Sequence, residues 1–456
     1  MEQAETSFDP YSPHCGSFRR NWASPVLILF TRYPVAGQVK TRLIPTLGAA
    51  GAAKLQEVMT GHAVLQARCC AARLRAEVEV RFSGCGKALA KKWLGAGLRY
   101  ASQAGGDLGW RISEAFADAF RRGAGQVVVV GCDCPRLNAQ LMSDAFAALS
   151  DNDLVLGPAA DGGYYLIALK KEAPFLFSGV DWGSGTVCET TRTRAAANGL
   201  RTIELEKLSD VDRPEDMMEW DRIVSNTLGD DSISVVIPTL NEETDIAKTL
   251  RGVMVEAAEV IVADGGSSDN TIGEARRAGA CAITVPRGRA AQMNAGALAI
   301  GGSILLFLHA DTHLPCNFSR MALEAMHAPG IIAGAFSLKI GSDIPGARLV
   351  EKCANLRSRL LQLPYGDQAL FMRRGDFLRI GGYANLPIME DFEFAQRLRR
   401  RGQVKTLEES VLTSGRRWNR LGVWNTTLIN QMMIAGYGVW VPPSRLASLY
   451  RMFGSL

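Results

Sequence analysis

The sequence predicts two α/β domains in tandem, each built on a mainly parallel sheet. Three observations carry this. Short apolar runs alternate with helical stretches at the spacing of strand–helix–strand units. The pattern resets near 222–232, where RIVSNTLGDDS is polar and rich in turn formers. Each half also opens on an apolar strand and later ends another strand in an aspartate: VVVVGCDCP (127–135) in the first, FLHADTHLP (307–315) in the second. This repeat is architectural; no residue-level repeat accompanies it.

Taken in order, residues 1–23 are irregular and are expected to form a flexible segment. PVLILFTR (25–32) is continuously apolar rather than alternating, which suits a central strand buried on both faces. A helix is expected at about 49–74 and a strand near 77–82. RISEAFADAFRRG (111–123) has helical periodicity and Gly123 as its stop. The strand VVVVG, a helix near 138–149 and the strand DLVLGPA complete a first domain of 24–222. A linker at 223–231 leads to a second domain, 232–456. Its first strand lies in ISVVIPTLNEE (233–243) and its second in EVIVADGGSSDNT (259–271). A helix through 289–300 precedes the strand in SILLFLHADT (303–312). PIMEDFEFAQRLRRRG (387–402) reads as a helix with Phe394 and Leu398 on its apolar face.

Composition narrows the function classes. A chain of 456 residues, 47% hydrophobic and 21% charged, is an ordinary globular protein with room for two or three cores. Its net charge of +5 is too small to argue for a nucleic-acid partner. No CxxC pair occurs, and none of the five histidines stands at zinc-ligand spacing from cysteines. The polar, acidic start is unlike a secretory signal, so a cytoplasmic protein is expected. The longest apolar stretch, TTLINQMMIAGYGVWV (426–441), is interrupted by Asn430 and Gln431. It is expected to be a buried helix, peripheral contact with a membrane being the alternative. The arginine clusters LRRRGQVK (398–405) and SGRRWNR (414–420) are either solvated faces or contacts for a pyrophosphate, an anionic acceptor or a membrane.

The chemistry is expected at the carboxyl ends of the strands, where open α/β sheets bind ligands. Asp133 and Asp311 both fall there. A carboxylate in a partly dry cleft needs a cation, and Mg2+ or Mn2+ is the natural partner because hard divalent ions take oxygen ligands and bridge phosphates. The competing explanation is helix capping. Asp264 ends a strand before Gly265 and Gly266. Glu390 and Asp391 open a helix, either to satisfy its dipole or to place a general base. In FTRYPVAGQVKTRL (30–43), Arg32, Lys40 and Arg42 form an anion cradle without a Walker signature.

VVIPTLNEE, VADGGSSDNT, RGRAAQMNAGA, FLHADT and MEDFEFAQRL, in that order, resemble the family 2 glycosyltransferases of the GT-A fold. The resemblance covers essentially all of 232–456 and is strongest to the subgroup associated with arsenosugar-biosynthesis and radical-SAM gene neighbourhoods. It implies inverting transfer from a nucleotide-sugar donor to a small-molecule or lipid-linked hydroxyl. Asp264 would contact the base, Pro238 and Glu242 would line the nucleoside pocket, and Asp311 would hold the metal. Asp391 would deprotonate the acceptor, oriented by Glu390, with Arg289 and Asn294 near the diphosphate or ribose. Arg416, Arg417 and Trp418 are candidates for leaving-group stabilisation and sugar stacking. His309 stands where the broad family has the first acid of a DxD pair.

The first half, through GDLGWR, GCDCP, GPAADGGYYL and DVDRPED, resembles the uncharacterised GT-A family described as glycosyltransferase A or cofactor-nucleotidyltransferase-like. That implies Asp133 and Asp212 as metal ligands, with Asp161, Gly162 and Gly163 facing substrate. Trp110 and Tyr164 are expected to pack. The half would be a nucleotidyltransferase making the activated sugar, a second glycosyltransferase, or a non-catalytic binding module.

Overall fold

The structure is a computed structural model and describes residues 24–218, 220, 231–341 and 345–454. The expected flexible segment 1–23 and all of the linker except Asp231 lie outside the described residues.

Two sheets are present, and their strand orders match. The first comprises β1 (Val26–Arg32), β2 (Glu77–Ser83), β3 (Arg99–Ser102), β4 (Val127–Gly131), β5 (Leu154–Pro158), β6 (Tyr164–Leu169) and β7 (Thr202–Glu204), ordered β3-β2-β1-β4-β6-β5-β7. The second comprises β8 (Ile233–Thr239), β9 (Glu259–Asp264), β10 (Cys281–Thr284), β11 (Ile304–Phe307), β12 (Thr312–His313), β13 (Ile331–Gly341), β14 (Phe371–Arg373) and β15 (Gln403–Ser414). Its order is β10-β9-β8-β11-β14-β13-β15-β12. Counted from the first strand of each half, both read third, second, first, fourth, then a reversed strand. β6 is antiparallel to β4 and β5, as β14 is to β11 and β13. The short β12, antiparallel to β15, is the addition in the second half. These are two tandem mixed α/β domains of the GT-A type.

The continuous apolar runs behave as expected. Leu27 and Leu29 on β1 enter one core and Val26 and Ile28 the core on the opposite face. On β8, Val235 and Ile237 enter one core and Val236 another. Burial on both faces is why these strands do not alternate in polarity.

The helix Ile44–Leu74 starts earlier than expected, with Pro45 in its first turn and a kink at Gly48. From Met59 to Ala71 every residue is buried. It has no solvent face because it is clamped between the halves, against the helices Arg289–Leu298 and Arg374–Ile380. Gly61 is where the backbones meet: a Cβ there would lie 2.3 Å from the Leu378 carbonyl oxygen. Arg68, fully buried, donates to Gly381 O, to Gly382 O at 3.1 Å, to Leu94 O at 3.0 Å and to Ala96 O at 3.1 Å. Glu393 pairs with Arg397 at 2.8 Å and accepts Ala96 N–H at 3.0 Å. Arg401, in one of the two arginine clusters, reaches Glu57 of the first half. That residue serves the joint between the halves rather than a pyrophosphate or a solvated face.

Candidate active site

The second half places its acids on two sides of one cleft. The helix Glu390–Arg399 is entered through Met389 with φ +71°, which turns both acids inward. Glu390 is 7% exposed. Arg289 Nη1 lies 3.4 Å from Glu390 Oε1 and 3.4 Å from Asp391 Oδ2. Gly366 N–H donates to Asp391. Burial raises the Asp391 carboxyl above the usual range, with Arg289 and the Gly366 amide opposing it. Burial raises Glu390 as well, reinforced by the neighbouring Asp391 charge. A buried pair of acids facing one guanidinium is a site able to hold or release a proton near neutrality.

Across this corner stands His309. A Cβ on Gly366 would lie 2.4 Å from Asp391 Oδ2 and 2.9 Å from His309 Nε2, so only glycine lets the three residues close together. Burial, then the Arg289 charge, pushes His309 down to about 3. It is a neutral imidazole whose buried Nε2 makes no protein hydrogen bond. Two residues on, Asp311 Oδ2 accepts from Arg416 Nη2 at 3.0 Å. Arg416 also reaches Glu242 at 2.8 Å and Asp245 at 3.0 Å. The cation that Asp311 lacks in sequence is therefore supplied in space, from the turn after β15. Hydrogen bonding to Glu242 leads the effects that raise the Arg416 pKa, while burial leads those that raise Glu242.

The surroundings of several expected site residues give them structural work as well. Asp264 is fully enclosed: its carboxylate accepts Thr239 Oγ1 at 3.0 Å, Gly266 N at 2.9 Å, Ser267 N at 2.8 Å and Ser267 Oγ at 2.5 Å. It shapes the glycine turn and offers a base no free oxygen. Asn294 is buried and spans the Tyr383 backbone, donating to its oxygen at 2.9 Å and accepting its N–H at 2.8 Å. It is a clamp on the backbone before Glu390. Arg289 sits between the two acids. Trp418 is half-buried and packs against the second-half core. The Arg417 side chain lies outside what is described. Pro238, half-buried on β8 opposite Ala263, stays at the strand end near Glu242.

In the first half, Arg32, Lys40, Arg42, Asp133 and Asp212 converge on one cavity of about 540 Å3, joined by Arg111. Lys40 Nζ lies 2.6 Å from Asp133 Oδ1 and 2.6 Å from the Val211 oxygen, with its side chain 4% exposed. Arg42 pairs with Asp212, and Arg32 donates to Gln38 O at 3.2 Å. Asp161 does not line this cavity; its Oδ1 accepts Gly163 N at 2.9 Å. Gly162, at φ +90°, packs so tightly that a Cβ would lie 1.9 Å from Gly185 O. Trp110 is 58% exposed, against the expectation that it packs, whereas Tyr164 does pack, edge-on to Trp182 at 6.2 Å.

Three residues escaped sequence reasoning. Asp367, in the Gly366 turn, has a carboxyl raised by burial and an unpartnered buried Oδ1; nothing periodic marks it. Gln292 donates to Thr239 O at 2.7 Å and Ala263 O at 2.9 Å, tying the ends of β8 and β9 beneath Gly265. Asp210, two residues before Asp212, is raised by burial and then by Asp161. The segment DVD offered two acids and no rule for choosing.

Residues 66–184 match the family model described as an uncharacterized protein conserved in bacteria (DUF2064), and residues 234–378 match glycosyl transferase family 2. No curated protein matches the chain. Among solved structures, a putative nucleotide-diphospho-sugar transferase from Desulfovibrio desulfuricans G20 is 32% identical, covering 45% of this chain and 89% of its own, with a TM-score of 0.41. Glucosyl-3-phosphoglycerate synthase from Mycobacterium tuberculosis, in complex with Mn2+, UDP and glucosyl-3-phosphoglycerate, is 20% identical, covering 44% of this chain and 77% of its own, with a TM-score of 0.29. The second half thus carries a family 2 glycosyltransferase domain.

Proposed function

We propose that this glycosyltransferase domain transfers a sugar, with inversion, from a nucleotide-diphosphate donor to a hydroxyl acceptor, with Asp391 as the general base. The observation that carries the reading is the corner formed by Asp391, Gly366 and His309. It sets a buried carboxylate of raised pKa against the segment that ends in Asp311. An acceptor hydroxyl beside Asp391 then attacks a donor lying toward Asp311, and Asp391 takes the hydroxyl proton as the new bond forms. Glu390 and Arg289 hold Asp391 in place and set its charge.

Among the described residues no three of His, Cys, Asp and Glu stand together as a metal cage. Asp311 nonetheless offers the hard carboxylate oxygens that Mg2+ or Mn2+ takes, and a donor diphosphate would complete the shell. Such an ion, when bound, supplies charge neutralisation to the diphosphate. Arg416, half exposed and held by acids alone, is the protein's own cation for the leaving nucleoside diphosphate.

For the first half, the cavity lined by Arg32, Lys40 and Arg42 favours a nucleotidyltransferase that makes the activated sugar from a nucleoside triphosphate and a sugar phosphate. Asp133 and Asp212 are its candidate metal carboxylates. A non-catalytic binding module is the second reading, favoured by the engagement of both acids with Lys40 and Arg42.

The test is release of nucleoside diphosphate by the full chain across UDP-, GDP- and CDP-sugars with Mn2+. Pyrophosphate release from nucleoside triphosphate plus sugar 1-phosphate is followed in parallel. Diphosphate release that Asp391→Asn abolishes supports the transfer reading; release by no donor overturns it. Pyrophosphate release decides between the two readings of the first half.

A further inference from the structure

The chain after Glu409 contains five arginines and not one lysine, aspartate or glutamate. Its net charge is +5; Arg416 is committed to Glu242, Asp245 and Asp311, while Arg420, Arg445 and Arg451 are exposed. This segment forms the helices Arg416–Leu421, Val423–Gly438 and Pro443–Gly454. The second of these, expected to be buried, turns Trp424, Leu428 and Met432 outward at spacings of one helical turn, with Trp424 68% exposed. Val439 and Trp440 follow, the latter 80% exposed with Lys91 Nζ 4.8 Å from its ring centroid. Leu449 and Met452 are exposed on the third helix. The helix Ala347–Leu361, which packs against Val423–Gly438, adds Leu349, Leu356 and Leu360 to its outer surface, with Lys352 and Arg359 between them, while Arg348 is paired with Glu351 at 2.8 Å.

We infer that these helices form a docking surface for an anionic lipid bilayer. Charge complementarity selects the partner. Apolar side chains with interleaved cations and no acid after Glu409 match a surface that is hydrocarbon below and negative above. Two exposed tryptophans suit the interface, where an amphipathic ring has one dry and one wet side. No helix among the described residues is long and apolar enough to cross a membrane, so the contact is peripheral. The same helices wall the acid cluster. Tyr437 stands edge-on to Phe392, the residue after Asp391, at 5.9 Å. The exposed stripe lies on the face of the helix Val423–Gly438 opposite Tyr437, so docking holds the domain by its outer surface and is independent of the transfer reaction.

The experiment is co-sedimentation of the full chain with phosphatidylcholine vesicles, with and without phosphatidylglycerol. Binding is expected only with the anionic lipid and is expected to weaken as salt shortens the range of attraction. Trp424→Glu with Leu428→Glu, both at exposed positions, should weaken it roughly tenfold or more while leaving the circular dichroism spectrum unchanged. Arg445→Glu should weaken it by a smaller factor. No sedimentation with anionic vesicles overturns the proposal, as does equal binding by the double variant. So does a dimer that the double variant turns into a monomer without any vesicle binding, which would make a second copy the occupant. Because vesicle binding is read without any donor sugar, its failure is distinct from failure of the transfer reading.

Discussion

The two halves share a strand order and an aspartate just past the fourth strand, yet they neutralise that aspartate differently. Asp133 is met by Lys40, whose side chain is 4% exposed and is also fixed to the Val211 oxygen. Asp311 is met by Arg416, whose side chain is 50% exposed and is shared with Glu242 and Asp245. The first cation is part of the wall; the second is at the rim. A buried lysine cannot leave its carboxylate without stranding its own charge, even though Asp133 itself is 52% exposed, whereas a rim arginine exchanges one set of oxygens for another at little cost. The same frame thus carries a fixed cradle in one half and an exchangeable clamp in the other, and only the second is joined to a buried acid pair.

The largest effect expected concerns the joint that holds the halves together. Arg68→Met leaves the carbonyls of Leu94, Ala96 and Gly381 without this donor, while Gly382 keeps Arg397 at 2.7 Å, a loss of roughly 3–5 kcal/mol. Urea unfolding should show one transition for the parent and an earlier, split transition for the variant. An unchanged profile would mean the halves stand independently. Next, Asp311→Ala should weaken Mn2+-dependent nucleotide binding by about tenfold or more, read by titration calorimetry, because a ligand-shell oxygen is lost. The cation comparison is sharpened by thermal denaturation. Lys40→Ala should cost about 1–3 kcal/mol, since the Val211 oxygen and Asp133 lose a nearly buried donor. Arg416→Ala should shift stability by less than about 1 kcal/mol, as for exposed pairs. Equal shifts would erase the distinction.

The smallest effect is on pH dependence. A base must be ionised to act, so turnover falls as pH drops through the raised Asp391 and Glu390 range. The acid limb then lies above the usual carboxylate value. Arg289 opposes that rise in both groups. Arg289→Gln should move the limb upward by about one pH unit; a limb that stays or moves down contradicts the assignment.

Much of this architecture was legible because strands buried on both faces are written as unbroken apolar runs, as in Val127–Val130 and Ile304–Phe307. The helix Ile44–Leu74 was legible as a helix, while its place between two domains shows only in the structure, where Met59 to Ala71 has no exposed position. The acids were found where strand ends are expected. Their partners were not, because Arg416 lies 105 positions from Asp311 and meets it only once β15 has returned to the sheet. Asp264, Asn294 and Trp418 also serve a turn, a clamp and a core, because a motif residue that builds structure has the same spelling as one that touches ligand. Asp367 was missed because a single acid in a glycine turn has no period to betray it.

The most direct test sets Asp391→Asn beside Asp133→Asn in the full chain and follows nucleoside-diphosphate release from the donor that the parent uses. Asp391→Asn should lower turnover by about 10²–10⁴ with nucleotide binding retained, as for loss of a general base, while Asp133→Asn leaves it within about twofold. Turnover that survives Asp391→Asn, or collapses only with Asp133→Asn, would contradict the account.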